Sequence, residues 1–387
     1  MGMKKLIAFT ALMTLGCVSK STAQLVKIDH IFDRNQYETT GEKFVIATQG
    51  PASTYAAKQM FDKGGNIIDA AIAASFAISV ERQQSTGIGG GGVMMFYKAK
   101  ENKTYAIDFR EKAPKKSWAK MFQDKDGEII PKKSSVGIFS SGIPGLIAGL
   151  YEIKNKFGSK NVSWSDTIQP AIAMAENGID VYPHLAEAIN NQKDVLFASP
   201  YSKAIYFKQD GSPLQIGDKL IQKDLANTLK IIAEKGKDGF YKGKIAKAII
   251  AESKRRNGLF TQADFDAYQV KYREPVVGSF HGYKIASMPP PSSGGTHVIQ
   301  ILKILDGFKL KEQGAYSPLT IHQVSSAMRL AFADRSYYLG DSDFVKVPVQ
   351  ELISDPHIQA MRSKIKDKAI PSKDLNSPSL KSESTET

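Results

Sequence analysis

The 387-residue chain has almost no cysteine. Its single Cys17 excludes a disulfide framework and a cysteine-built metal cage. Six histidines, His30, His184, His281, His297, His322 and His357, stand isolated along the chain, and no H-E-x-x-H spacing occurs, so a metal centre is not indicated. No stretch approaches the roughly 18 consecutive apolar residues that a membrane span needs, so no transmembrane anchor is expected. P-loop and G-x-S-x-G signatures are also missing. Basic residues outnumber acidic ones for a net charge of +13, yet the longest basic run is Lys254-Arg255-Arg256 and no aromatic-plus-basic module accompanies it. The charge reads as diffuse solvation and a general attraction for anions, not as a nucleic-acid footprint.

What is present begins with an export pattern. Residues 1–23 combine Lys4 and Lys5, an apolar stretch at 6–18 and Ser21-Thr22-Ala23, which resembles a small-residue cleavage site. This predicts a secretory signal peptide and a periplasmic or secreted protein. Residues 44–50 predict a strand, and 53–63 a helix stopped by Gly64-Gly65. Asn66, with Asp69 three residues on, predicts the capped start of a second helix; its 67–80 stretch is apolar on nearly every side and so belongs in the core. The alternation over 93–110 predicts a hairpin turning at Glu101-Asn102-Lys103, with Ala106, Asp108 and Arg110 on one face. Pro144 predicts a helix start, His281-Gly282 a hairpin turn within 276–288, and Ser317-Pro318 the start of a long helix that stops near Gly340. The polar composition of the end of the chain, 363–387, predicts a flexible linker.

Two local motifs lose their obvious meanings. Gly87, Gly89 and Gly92 match G-x-G-x-x-G, but a helix precedes and a strand follows, the reverse of a dinucleotide fingerprint. Ser117-x-x-Lys120 and Ser363-x-x-Lys366 match the S-x-x-K of serine acylases without the S-D-N and K-T-G partners. Arg110 stays open on pattern alone. It is either a surface arginine paired with Asp108 or Glu111, or a fork-shaped donor for a substrate carboxylate.

Several segments in order resemble the γ-glutamyltransferase (γ-glutamyltranspeptidase) family. They are Lys63-Gly64-Gly65-Asn66-Ile67-Ile68-Asp69-Ala70-Ala71, the 87–92 glycine run, Asp108-Phe109-Arg110-Glu111 with Ala113-Pro114, and Gly142-Ile143-Pro144-Gly145. The set continues with Met288-Pro289-Pro290-Pro291-Ser292-Ser293-Gly294-Gly295, then Met328-Arg329-Leu330-Ala331-Phe332-Ala333-Asp334-Arg335 and Gly340-Asp341. The resemblance implies an N-terminal-nucleophile hydrolase fold, a four-layer αββα sandwich, of which 24–362 would be the large-subunit region. It implies a precursor that cuts itself, a small subunit whose new N-terminal Thr is the nucleophile, and no cofactor. That Thr's own α-amine would act as its base. The substrates would be glutathione and other γ-glutamyl compounds, with water, amino acids or peptides as acceptors. Arg110 matches the family arginine that grips the α-carboxylate of the γ-glutamyl group, and Glu111 would orient or neutralise groups beside it. No catalytic residue is expected in this chain: Thr387 would be the last residue before the cleavage point or the nucleophile at that point. The alternative is an inactive exported binding protein on the same scaffold.

Overall fold

The chain divides into two compact units, 1–47 and 48–387. The computed structural model describes residues 39–375. The expected signal peptide, Cys17 and Thr387 lie outside the described residues.

Residues 44–50, expected as a strand, form none. Thr48 instead turns the chain, its hydroxyl donating to Gly50 O at 2.7 Å. Helix α1 (Pro51–Asp62) then starts with proline in its first turn, where a missing N–H costs nothing. Asn66 opens α2 (Ile67–Glu81) with the anticipated capping box: its side chain accepts from Ile68 N and Asp69 N, and Asp69 accepts from Asn66 N at 2.9 Å. At the far end of α2, the buried Glu81 carboxylate accepts from Ala52 N (3.2 Å) and Ser53 N (3.0 Å). One helix thus supplies the negative cap for the other's N-terminus.

Strands β1 (Val93–Lys98) and β2 (Lys103–Asp108) form the expected hairpin, turned through Asn102 in the left-handed region (φ 47°). Helix α3 (Leu146–Phe157) starts two residues after Pro144, because the Gly145 and Leu146 amides are drawn to Gly90 O at 2.9 and 3.0 Å. Helix α4 (Trp164–Asn177) follows. The short pair β3 (Ile179–Asp180) and β4 (Lys219–Leu220) brackets α5 (Pro183–Asn191) and a satellite core of Val181, Leu185, Ile189 and Leu220. Helices α6 (Lys223–Tyr241) and α7 (Lys244–Arg255) lead to β5 (Lys271–Arg273), which pairs antiparallel with β2 in a sheet ordered β1-β2-β5. The hairpin β6 (Val276–Phe280) and β7 (Tyr283–Ser287) turns where the sequence reading placed it, with His281 at φ 48° and Gly282 at φ 82°. Two consecutive positive φ values match the right-handed twist of the flanking strands. Helices α8 (Gly294–Leu305), α9 (Pro318–Tyr338) and α10 (Asp355–Ser363) are the longer helices that follow, α9 being capped by Ser317 as expected.

The main core joins α2, β2, α3, α4 and α6 through Phe76, Ile107, Ile147, Ile153, Ile168 and Leu229. Phe96 and Tyr105 stack at 5.0 Å on one face of the hairpin and receive Phe157 of α3 edge-on at 4.8 and 4.9 Å. Inside this core Asp69 meets Lys154 at 2.9 Å. Burial alone would raise the Asp69 carboxyl, but hydrogen bonds from Ser159, Asn66 and Lys154 outweigh it and hold the pKa below the usual range. A second buried polar set ties α8, α9 and α10 together. Gln300 donates to Asp334 (2.7 Å), His357 Nε2 lies 2.6 Å from the same carboxylate oxygen, and His297 Nδ1 lies 2.5 Å from Gln300 Oε1. Two histidines that look isolated in the sequence are thereby joined through one glutamine and one aspartate.

The sequence reading has 363–387 as a flexible linker. As far as Leu375 the chain lies against α9: Ile365, Ile370 and Leu375 pack on the Ile304–Leu330–Met361 cluster, and Arg329 donates to Ile370 O at 2.7 Å. Scattered apolar residues with polar neighbours suffice once a helix surface is there to receive them. Residues 376–387 lie outside the described residues.

Candidate functional site

Strand β2 delivers Asp108 at its end, and the chain then runs through Phe109 to Arg110 and Glu111. The glycine run fixes this exit. Gly92 and Phe109 exchange both backbone hydrogen bonds, at 3.0 and 3.2 Å, so the ladder continues one step beyond the hairpin's strands. A Cβ on Gly91 would stand 2.5 Å from Phe109 O and 2.8 Å from both Arg110 Cα and Glu111 N. No side chain fits there, which explains the glycine by close backbone approach. From the other side, Gly149 of α3 lets the helix lie on the Phe109 ring, its virtual Cβ being 2.2 Å from Cγ. Phe109 is buried and Arg110 is exposed, so the backbone is clamped while the guanidinium is left outside the core.

Arg110 lines a cleft of about 550 Å³. Asp108, Glu111 and Lys112 stand on its wall of the cleft, Lys271 and Arg273 of β5 beside them, and Pro291, Asp341, Asp343 and Phe344 close the remainder. The charges in it are mostly paired. Asp108 Oδ1 accepts from Arg110 N at 3.0 Å, and Asp108 Oδ2 accepts from Arg273 Nε at 2.7 Å. Arg273 reaches on to Asp343 at 3.1 and 3.3 Å, and Lys271 donates to Asp343 at 2.7 Å. Burial works against the charged form of Asp343, but the bonds from Arg273 and Lys271 outweigh it and hold its carboxyl below the usual range. Lys112 donates to Gln269 O at 3.1 Å, and burial followed by the nearby Lys271 charge lowers its pKa.

Two side chains stand apart. Among the described residues, neither the Arg110 guanidinium nor the Glu111 carboxylate has a hydrogen bond or an ion pair. Of the two readings left open by the sequence, the surface ion pair is not formed: Asp108 is taken by Arg273, and Glu111 does not engage Arg110. An unpaired guanidinium at a cleft is a two-pronged donor for a carboxylate, a task for which its planar fork is suited. The backbone of Arg110 is itself held at both sides, by Asp108 at its N–H and by Tyr268, whose hydroxyl donates to Arg110 O at 2.7 Å. Arg273, Asp343 and Tyr268 went unnoticed in the sequence; Arg273 and Asp108 share one face of paired strands, but only the β2–β5 register reveals it.

Residues 53–387 match the family described as gamma-glutamyltranspeptidase. The chain is 38% identical over 373 residues to the glutathione hydrolase proenzyme of Escherichia coli (strain K12), covering 95% of this chain and 64% of the relative. A relative of the same name from Bacillus subtilis (strain 168) is also 38% identical, covering 91% of this chain and 60% of its own length. The chain therefore spans about three-fifths of the length of these relatives. Among solved structures, the gamma-glutamyltranspeptidase of Helicobacter pylori superposes with a TM-score of 0.86 at 39% identity, covering 90% of this chain and all of that one. The Pseudomonas nitroreducens enzyme complexed with L-DON gives 0.80 at 33% identity, covering 87% of this chain and 99% of that one. The N-terminal-nucleophile hydrolase fold expected from the sequence is thus the fold of this chain. On its sequence match and its superposition alike, the chain belongs to the gamma-glutamyltranspeptidase family.

Proposed function

We propose that this chain is the large-subunit part of an exported γ-glutamyltransferase/glutathione hydrolase, and that Arg110 grips the α-carboxylate of the γ-glutamyl substrate. The observation that carries the reading is the guanidinium of Arg110, unpaired among the described residues, lining the cleft while each neighbouring cation has a partner. The relatives' name, glutathione hydrolase proenzyme, supports both the substrate class and maturation from a precursor. In this reading a small subunit from the same precursor brings the Thr nucleophile, whose freed α-amine serves as its base. The guanidinium fork fixes the substrate in one register so that its γ-carbonyl meets that hydroxyl. The acyl group then passes to water, an amino acid or a peptide. Residues 1–23 serve as the export signal, and the segment beyond Leu375 leads to a cleavage point at or just after Thr387.

The test is to assay release from a γ-glutamyl anilide by residues 1–387 alone and by the same chain assembled with a small subunit. Activity is expected only from the pair. Turnover by the chain alone overturns the dependence on a partner, and an inert pair overturns the activity.

A further inference from the structure

We propose that Tyr268 is a positioning residue for Arg110, acting through the peptide carbonyl and not through the substrate. The inference rests on the reading of Arg110 as the carboxylate-binding residue.

A long exposed side chain is only as well placed as its backbone. Arg110 lies two residues past the end of β2, between the Gly92–Phe109 pair and the Lys112–Ile143 bridge, and among the described residues it makes no backbone–backbone hydrogen bond of its own. Its N–H is tied to Asp108, a local bond two residues away in sequence. Among the described residues, the only long-range tie on its carbonyl is the Tyr268 hydroxyl, 158 residues away in sequence. Together they fix both peptide planes flanking the Arg110 Cα, and with them the direction in which the guanidinium leaves the wall.

Tyr268 is itself well anchored. It is buried, stacks on Tyr241 at 5.7 Å and 21°, and its hydroxyl occupies space that exists because residue 145 is glycine: a Cβ there would lie 2.0 Å from the oxygen. Lys112 Nζ sits 5.3 Å from the ring on the cleft side. Burial pushes the phenol pKa well up, so it remains a donor throughout the working pH range. Tyr241 provides the contrast. It is a second buried tyrosine in the same stack, but its hydroxyl donates to Pro144 O at 2.7 Å and does not reach Arg110. A purely packing role would make the two hydroxyls equivalent for substrate binding. Positioning makes them different.

The experiment uses the assembled two-subunit enzyme and a γ-glutamyl anilide. Tyr268→Phe keeps the ring and removes one donor, so KM is expected to rise about two- to tenfold with kcat nearly unchanged, the worth of one hydrogen bond. Tyr241→Phe is expected to lower thermal stability without raising KM. In an Arg110→Ala background the Tyr268→Phe effect on KM should vanish, because the residue it positions is gone. If Tyr268→Phe leaves KM alone while Arg110→Ala raises it, the positioning role is wrong and the reading of Arg110 survives. If Tyr241→Phe raises KM as much as Tyr268→Phe, or the Tyr268→Phe effect persists without Arg110, the role is packing and the proposal falls. If Arg110→Ala leaves KM unchanged, or the assembled wild type is inert, the functional reading fails and the proposal falls with it.

Discussion

Arg273 Nε lies 2.7 Å from Asp108 Oδ2, and this contact leaves Arg110 without a carboxylate of its own among the described residues. The arrangement looks inverted at first, since Asp108 is two residues from Arg110 and 165 from Arg273. Asp108 instead spends its other oxygen on the Arg110 N–H. One carboxylate thus holds the backbone of one arginine and the side chain of another. The guanidinium lining the cleft stays free to meet an external anion.

Arg110→Ala in the assembled enzyme should cost about 2–5 kcal/mol in kcat/KM for a γ-glutamyl donor, expressed mainly as a rise in KM. Arg110→Lys should recover part of the loss, because the charge returns without the fork. A donor whose α-carboxylate has been amidated should respond to neither change. Steady-state kinetics with the two donors decides this, and an equal penalty on both would remove the carboxylate contact.

Arg273→Gln should act in two ways. It breaks a largely buried pair, with Arg273 and Asp108 side chains 13% and 8% exposed, so a loss of roughly 2–4 kcal/mol in urea unfolding is expected, less than for a fully buried pair. It also frees Asp108 to turn toward Arg110, so KM should rise. A variant that is destabilised but keeps its KM would separate the two effects.

Gly91→Ala should destabilise the fold by about 1–3 kcal/mol, as overpacking does. The virtual Cβ meets backbone atoms of Phe109, Arg110 and Glu111, none of which can rotate away. Relief requires moving the Arg110 backbone, so substrate binding should weaken as well. Denaturation midpoints and KM measured on the same preparations check both halves.

Acid should weaken the fold through Asp69. Its folded-state pKa lies below the unfolded value, so the native chain releases this proton more readily than the unfolded one. The contribution is therefore fully present above the ordinary aspartate value and disappears as pH falls through the lowered folded value. Urea midpoints followed from neutral pH into that acid window should fall more steeply for the wild type than for Asp69→Asn. Parallel curves would show that another group carries the acid sensitivity.

Much of the fold could be read from local chemistry. The capping box at Asn66 and Asp69, the proline start after Ser317 and the His281-Gly282 turn each depend on residues within a few positions of one another. The strand expected over residues 44–50 failed because a short apolar run cannot tell whether a partner strand exists. The late start of α3 likewise depended on Gly90 O, a group more than fifty residues away.

The sequence by itself determined that Arg110 would stand at a strand end, on the same face as Asp108 and near a glycine run. Side-chain period is a local property, and it survives being read along a line. Only the tertiary structure decided which cation would take Asp108, that Tyr268 would hold the Arg110 carbonyl, and that the guanidinium would be left at the cleft unpaired among the described residues. Ion pairs and hydrogen bonds are chosen by distance in space, and the partners that matter here stand 158 and 165 residues apart in sequence.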